Sequence, residues 1–304
     1  MMELGAQLFT LRDYTQTEQD LDFSLGEVAK MGYKTVQLSA VGPIPAEKLR
    51  ELCDKHGLKI VLTHWNPDRI LNDTEAVIKE HDIMGCDYIG LGMMPKKYAT
   101  PEWLPHFAED FKEPAKKIAA AGKLLMYHNH NIEFQKFDGK LVIDTLLDSF
   151  APDELGFTLD TYWVQMGGAD VCAWIEKLGD RIPCVHFKDM AVKGWEPIMA
   201  PVGEGNLPWE KILQTLEKTG KTKYILVEQD VCQESPSCAC RRASTTSTPG
   251  LSLRGGPPHG RPEPREQPPV TSEQPAPRPQ KKWSLALDVA SDCLLFIFAA
   301  IHAL

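Results

Sequence analysis

The sequence predicts an α/β fold, a (β/α)₈ barrel, because apolar β-favouring runs alternate with amphipathic segments over residues 1–235. The runs recur about every thirty residues, and eight such β-α units in about 230 residues match the size of a barrel of this kind. The predicted strands are 5–11, 35–39, 60–64, 88–93, 124–128, 156–162, 184–188 and 224–229.

Helix-like segments separate these runs. Residues 18–32, 45–57 and 208–220 carry apolar residues at helical spacing, each ends in Gly, and the last two begin with Pro, which is typical helix punctuation. A doubly wound open sheet is the alternative fold. It predicts a Gly-rich nucleotide-binding turn after the first strand, and the sequence "FTLRDY" found there is not one. The barrel is therefore the predicted fold.

Composition and charge narrow the class of partner. The 304 residues are 43% hydrophobic, which is typical of a soluble protein with a substantial core. A net charge of −9 and a pI near 5.5 argue against a nucleic-acid-binding surface and favour small molecules or cations as partners. The start "MMELGAQLFTLRD" lacks the pattern of a secretory signal, so we predict a cytoplasmic location.

The composition changes after Asp230. Residues 236–282 hold 11 of the 23 prolines, no Phe, Trp or Tyr, and a net charge of +5, so we predict a disordered linker. Residues 283–304 form a separate apolar segment. Its uninterrupted apolar stretch, 294–300, is too short to span a bilayer, so no membrane association is predicted. The barrel domain is assigned to residues 1–235.

Four acidic or imidazole side chains fall at or just after the ends of the last four predicted strands: Glu133, Asp160, His186 and Glu228. A buried carboxylate in a single strand is usually paired for structural reasons, but four on successive strands would surround one mouth of a barrel. Their mixed oxygen and nitrogen atoms suit one divalent ion, Mn²⁺ or Mg²⁺, with Co²⁺ or Zn²⁺ as further candidates. The sequence therefore predicts a metal site.

Further polar residues lie near these positions. His128 and His130 share a strand face, and they either orient substrate hydroxyls and move protons or hold a ligand carboxylate. Lys188 shares its face with His186, so it either stabilises a developing oxyanion or forms a salt bridge with Asp189 or Asp160. Residues predicted to line the substrate pocket are His64, His130, Trp163 and Glu204.

The motifs "YHNHNIEF", "LDTYWV", "HFKDM", "VGEGNLPW" and "LVEQD" follow one another along the chain. In this order they resemble the sugar phosphate isomerase/epimerase family of xylose-isomerase-like TIM barrels, which also includes inosose dehydratases. The resemblance implies one divalent metal ion held by Glu133, Asp160, His186 and Glu228. It also implies that the two glutamates flank the substrate carbon, and it takes Glu133, not His128, as the first ligand.

The chain departs from the family pattern at its last strand. Family members are expected to continue into an eighth helix, and here the polar sequence "VCQESPSCACRRASTTSTPG" stands in its place. We therefore predict a barrel that lacks a normal eighth helix.

The function predicted is that of a divalent-metal-dependent isomerase or epimerase of a keto or aldo sugar, phosphorylated or not. Proton transfer would pass through an enediolate, with Glu133, Glu228, Lys188 and His128 as the catalytic residues. A keto-sugar or inosose dehydratase is the alternative, because the same enolate can expel a β-hydroxyl. An AP-endonuclease-like hydrolase is disfavoured by the net charge of −12 on residues 1–235. A non-catalytic sugar-binding barrel is the candidate from another class. The partner predicted is a small-molecule sugar or keto-sugar, and a homo-oligomer is possible.

Overall fold

The computed structural model describes residues 2–231, and in it eight parallel strands close into a barrel. The strands of the chain are β1 (Glu3–Gln7), β2 (Thr35–Leu38), β3 (Lys59–His64), β4 (Tyr88–Leu91), β5 (Leu124–His128), β6 (Lys136–Phe137), β7 (Lys140–Leu141), β8 (Leu155–Asp160), β9 (Cys184–Phe187), β10 (Asp189–Lys193), β11 (Glu196–Ala200) and β12 (Tyr224–Val227). Around the barrel the order is β1-β12-β9-β8-β5-β4-β3-β2, so the predicted barrel is confirmed.

Helices surround the strands. They are α1 (Glu18–Lys30), α2 (Ala46–Lys55), α3 (Pro67–Asn72), α4 (Thr74–Met84), α5 (Leu104–Ala120), α6 (Val142–Ser149), α7 (Thr161–Met166), α8 (Val171–Leu178) and α9 (Trp209–Thr219). The side chain of Thr17 caps α1 by accepting a hydrogen bond from Asp20 N. Gly220 ends α9 in the left-handed conformation (φ 64°), which glycine adopts without steric cost. The helices predicted at 18–32, 45–57 and 208–220 are thus confirmed.

Apolar side chains form two layers, one between strands and helices and a smaller one inside the barrel. The inner layer comprises Val61, Leu62, Tyr88, Met126, Cys184, Tyr224 and Leu226. Side chains of a strand alternate between its two faces, so the residue two positions after an inner apolar residue also points inward. Following Met126, Cys184 and Leu226 in this way leads to His128, His186 and Glu228. Each of these three strands therefore begins apolar inside the barrel and ends polar at the carboxyl-terminal mouth.

Two local features differ from the prediction. The run at 5–11 is a strand only as far as Gln7, because the Gln7 side chain accepts a hydrogen bond from Phe9 N and starts a 3-10 helix over Leu8–Tyr14. The antiparallel hairpin β10–β11, which follows β9 directly, was not predicted. Gly194 (φ 65°) makes its turn, and the side chain of Trp195 beside it is 98% exposed.

Several predictions lie outside the described residues. These are the missing eighth helix, the disordered linker at 236–282 and the apolar segment at 283–304. Within residues 2–231, no helix combines the length and the apolar character needed to cross a bilayer. The cytoplasmic location stays a prediction.

Candidate metal centre

Four side chains meet at the carboxyl-terminal mouth of the barrel. One ligand-type atom from each of His128, Asp160, His186 and Glu228 lies within 4.8 Å of all the others. The four residues are buried, and they come from the ends of the neighbouring strands β5, β8, β9 and β12. We call this set the H-D-H-E cluster.

The spacing inside the H-D-H-E cluster fits a shared cation. His128 Nε2 lies 3.0 Å from Asp160 Oδ2 and 3.1 Å from His186 Nδ1. His186 Nδ1 lies 2.9 Å from Glu228 Oε2 and 3.7 Å from Asp160 Oδ2. Ligand atoms on one ion, with bonds of about 2.0–2.2 Å, are separated by about 3–3.5 Å. The donor set therefore fits a divalent ion in both chemistry and spacing.

Hydrogen bonds outside the cluster orient its ligand atoms. His128 Nδ1 lies 2.8 Å from the carbonyl oxygen of Gly92, which can only accept, so this nitrogen donates and Nε2 presents its lone pair to the cluster. His186 Nε2 similarly donates to Gln37 Oε1 at 2.6 Å, leaving Nδ1 for the cluster. Gln7 Nε2 donates to Glu228 Oε1 at 3.0 Å, which leaves Oε2 directed inward.

A buried ammonium group lies beside the cluster. Lys188 Nζ is 3.3 Å from Asp160 Oδ2, 3.1 Å from Glu228 Oε2 and 2.9 Å from Asp230 Oδ2. Burial opposes its charge, but the surrounding carboxylates outweigh burial and raise the pKa of Lys188. Lys188 is therefore a protonated donor next to the cluster. Of the two aspartates expected from the sequence, it contacts Asp160 and not the adjacent Asp189.

Comparison with known proteins identifies the family. Residues 25–237 match the model of the xylose isomerase-like TIM barrel family. The chain belongs to this family. The resemblance seen in the sequence motifs is thus confirmed, and the four residues of the H-D-H-E cluster lie within the matched residues.

Individual proteins are also similar to this chain in sequence or in fold. An inosose dehydratase from Lacticaseibacillus casei is 23% identical, covering 72% of this chain and 86% of that protein. A sugar phosphate isomerase/epimerase from Parabacteroides distasonis has a TM-score of 0.64 and 24% identity, covering 77% of this chain and 92% of that one. The IOLI protein, solved with a bound zinc atom, has a TM-score of 0.56 and 15% identity, covering 75% of this chain and 89% of that one.

Glu133 does not reach the cluster, which differs from the expectation drawn from the sequence. It lies on a short 3-10 turn, Ile132–Phe134, and its side chain is 0% exposed. Its carboxylate accepts hydrogen bonds from the hydroxyl of Tyr127 (2.5 Å) and from His130 N (2.7 Å). Tyr127 packs in the outer layer, on the face of β5 opposite to His128, so the turn carries Glu133 outward. His128 takes the place in the cluster that the sequence resemblance assigns to Glu133.

The remaining predicted site residues are distributed unevenly. The ring of His64 stacks on that of His128 with centroids 5.1 Å apart, and the ring of His130 meets His128 edge-on at 4.7 Å. Trp163 lies 4.9 Å from His130, and Lys188 Nζ lies 5.6 Å from its ring centroid. Glu204 is exposed, and its side chain forms no hydrogen bond or ion pair with any described residue. The structure therefore groups His64, His130 and Trp163 around the cluster but not Glu204.

Burial and neighbouring charges determine the charge states of the histidines and carboxylates at the site. Burial lowers the pKa of His128 and His64, and it lowers the pKa of His130 to about 3, so these rings are neutral at pH 7. Burial also opposes the charge of Asp160 and Glu228, but Lys188 outweighs it and lowers the pKa of both carboxyls. The cluster therefore offers ionised carboxylates and a neutral His128, which are the forms that bind a metal ion. Burial opposes the charge of His186, but Glu228 and Asp160 outweigh burial and raise its pKa, so a metal ion would displace a proton from this ring.

Sequence reasoning missed three polar residues at this mouth: Gln7, Gln37 and Asp230. Gln7 and Gln37 pair with each other in register on β1 and β2, and both are buried. A lone Gln inside an apolar strand, as in "GAQLF" and "TVQLS", was the available signal, because a buried amide requires a polar partner. Asp230 closes the motif "LVEQD" and holds Lys188.

Two substitutions distinguish His128 from Glu133 as a ligand. We expect His128→Ala to weaken Mn²⁺ binding at least about tenfold, because it removes one of the converging atoms. Glu133→Gln, the matched control, should leave Mn²⁺ affinity unchanged, because its carboxylate faces Tyr127 and the His130 backbone. Calorimetric titration of both variants, with circular dichroism to check folding, measures this. Loss of binding in Glu133→Gln with retention in His128→Ala would reverse the assignment.

Proposed function

We propose that the protein is a divalent-metal-dependent isomerase or epimerase that moves a proton on the carbon next to the carbonyl of a sugar. The observation that carries this proposal is the buried H-D-H-E cluster with the ammonium of Lys188 in contact with two of its carboxylates. The chain's membership of the xylose isomerase-like family and its similarity to a sugar phosphate isomerase/epimerase support a sugar as the substrate.

His128, Asp160, His186 and Glu228 would hold the ion. Their two carboxylates and two imidazoles suit Mn²⁺ or Mg²⁺, with Co²⁺ and Zn²⁺ as further candidates, and the zinc atom in the IOLI protein agrees with a divalent ion. When bound, the ion would supply the positive charge that makes the neighbouring C–H acidic and stabilises negative charge on the substrate oxygens.

The chain's own residues supply the proton chemistry. Glu228, ionised and oriented by Gln7, is the candidate base that removes the proton. Lys188 is the donor placed to stabilise the oxyanion and to return a proton, with Asp230 and Asp160 holding it in position. His64, His130 and Trp163 would orient the substrate hydroxyls around the cluster. Glu133 contributes by holding the backbone of His130.

A dehydratase of keto-sugars or inososes is the second candidate. It is favoured by one specific observation: among the described residues, Glu228 is the single glutamate in the cluster, because Glu133 points away. An epimerase that inverts a carbon with two bases needs a proton carrier on each face of that carbon, whereas removal of a proton and loss of a β-hydroxyl can use one base and one acid. The similarity to an inosose dehydratase agrees with this alternative.

Hydrogen exchange in D₂O tests the shared step and separates its outcomes. The Mn²⁺-loaded protein is incubated with ketoses and inososes, and the carbon-bound hydrogens are followed by NMR. We expect deuterium at the carbon next to the carbonyl, together with a new isomer or epimer; an unsaturated product would identify the dehydratase. Binding of sugars without exchange in any of them would show a non-catalytic sugar-binding barrel instead.

A further inference from the structure

The glycine-containing loop at 202–209, between β11 and α9, is closed around a side chain of the protein itself. From this loop and from the charges at the mouth, we propose that the site takes an unphosphorylated polyhydroxy ketone and discriminates against its phosphate esters. This inference rests on the proposed function, because it specifies the substrate of the same site.

The carboxylate of Asp189 fills the loop. Its Oδ2 accepts hydrogen bonds from Gly203 N (2.8 Å), Gly205 N (3.0 Å) and the indole Nε1 of Trp209 (2.6 Å). Its Oδ1 accepts from Met190 N (2.7 Å) and Leu207 N (3.2 Å). A Cβ on residue 205 would collide with this carboxylate, so glycine is what allows the backbone to close on it. Asp189 is buried and occupies all five donors.

The loop lies in the part of the barrel where many proteins of this fold bind phosphate. Barrels of this fold frequently bind phosphate with the loops after the seventh and eighth barrel strands and a nearby helix N-terminus, where backbone N–H groups converge. In this chain β9 is the seventh barrel strand, and the segment after it contains the loop and leads into α9. The N–H groups that would receive a phosphate here already bind Asp189.

The cations that contact this part of the mouth are also engaged. Lys188 contacts the carboxylates of Asp160, Glu228 and Asp230, so one ammonium already faces three negative charges. Arg12 donates to the carbonyl oxygens of Phe9 (2.9 Å) and Asp230 (3.1 Å). A phosphate dianion would add negative charge beside these carboxylates; Lys188 already shares its charge among them, and Arg12 already donates to two carbonyl oxygens.

Neutral polar atoms, by contrast, are available. His64 Nε2, His130 Nδ1, Trp163 Nε1 and Gln37 Nε2 are buried, and none has a hydrogen-bond partner among the described residues. His64 and His130 contact the ring of His128, Trp163 contacts His130, and Gln37 contacts His186, so all four lie around the cluster. A buried polar atom needs a partner, and hydroxyl groups both donate and accept. The wall of the site therefore matches an uncharged polyol chain.

A paired substrate comparison tests the proposal. D-Fructose, D-tagatose and D-ribulose are each offered to the Mn²⁺-loaded full chain, free and as the terminal phosphate ester. Binding is measured by calorimetry, and hydrogen exchange next to the carbonyl is measured in D₂O. We expect at least one free ketose to bind and exchange, with an affinity at least about tenfold above that of its ester.

The outcomes separate this proposal from the proposed function. Equal or better binding and exchange with the esters would overturn the uncharged substrate and leave the proton-transfer function standing. Neither binding nor exchange with any member of the panel would overturn both.

A variant examines the loop directly. Asp189→Gly should open the loop, so inorganic phosphate should raise the melting temperature of the metal-free variant relative to chloride at equal ionic strength, while wild type stays unchanged. Stabilisation of wild type to the same extent would show that Asp189 does not close the loop against phosphate. If the variant does not fold, the substrate comparison on wild type decides the proposal alone.

Discussion

Replacing Glu228 with Gln is expected to lower kcat/KM at least about a hundredfold while the barrel stays folded. Glu228 Oε2 is one of the four converging ligand atoms, and the same carboxylate is the candidate base. Glutamine keeps the shape and can still bond Gln7, but its amide neither accepts the substrate proton nor carries the negative charge that pairs with Lys188. Metal binding and proton transfer should therefore weaken together.

A matched substitution controls for general effects of the change. Glu204→Gln makes the same replacement at an exposed residue whose side chain has no partner among the described residues, so its kinetics should match wild type. Steady-state kinetics, metal analysis by mass spectrometry and circular dichroism on both variants complete the experiment. Near-normal turnover of Glu228→Gln at full metal occupancy would contradict both assigned roles.

The fold could be predicted because its signals are local and repeated. Every one of the eight predicted apolar runs overlaps a barrel strand. Alternation within a strand also predicted correctly that His186 and Lys188 share a face, because side-chain direction has a period of two wherever the backbone is extended. The same rule explains why His128 lies inside the barrel, two residues after Met126.

The direction of the Glu133 side chain could not be predicted from strand alternation. Glu133 follows β5 by five residues, and past the last strand residue the period of two no longer applies. Its direction depends on the dihedral angles of the 3-10 turn and on a partner, Tyr127, that lies on the outer face of β5. Neither is encoded in the motif "YHNHNIEF" as a pattern, so the sequence alone could not choose between His128 and Glu133.

The hydrogen bonds between Asp189 and the loop at 202–209 could not be predicted from the sequence either. The motif "VGEGNLPW" indicates a loop whose N–H groups converge, but it does not identify the anion that they bind. Here that anion is the carboxylate of a residue thirteen positions before the start of the motif, brought there by the hairpin β10–β11. Contacts of this kind depend on how the chain returns after a turn, which local propensity does not encode.

Removing divalent metal is expected to abolish turnover, and adding Mn²⁺ or Mg²⁺ should restore it. Lys188 is the one described cation in contact with the cluster, and its charge is already shared among three carboxylates. An oxyanion formed at this mouth would therefore lack sufficient positive charge without the ion. Dialysis against EDTA, activity measurement and stepwise metal return test this, and full activity in a metal-free preparation would refute it.

Stability provides a readout of the same metal site that does not depend on turnover. An ion that binds only the folded state adds about 2.7 kcal/mol of stability at a concentration a hundredfold above its Kd, so the melting temperature of wild type should rise when Mn²⁺ is added. Four ligand atoms within 4.8 Å of one another supply that binding, and His128→Ala removes one of them, so the rise should shrink in that variant. Glu133→Gln should keep the full rise, because its carboxylate is directed away from the cluster. A rise of equal size in His128→Ala would show that the ion binds elsewhere.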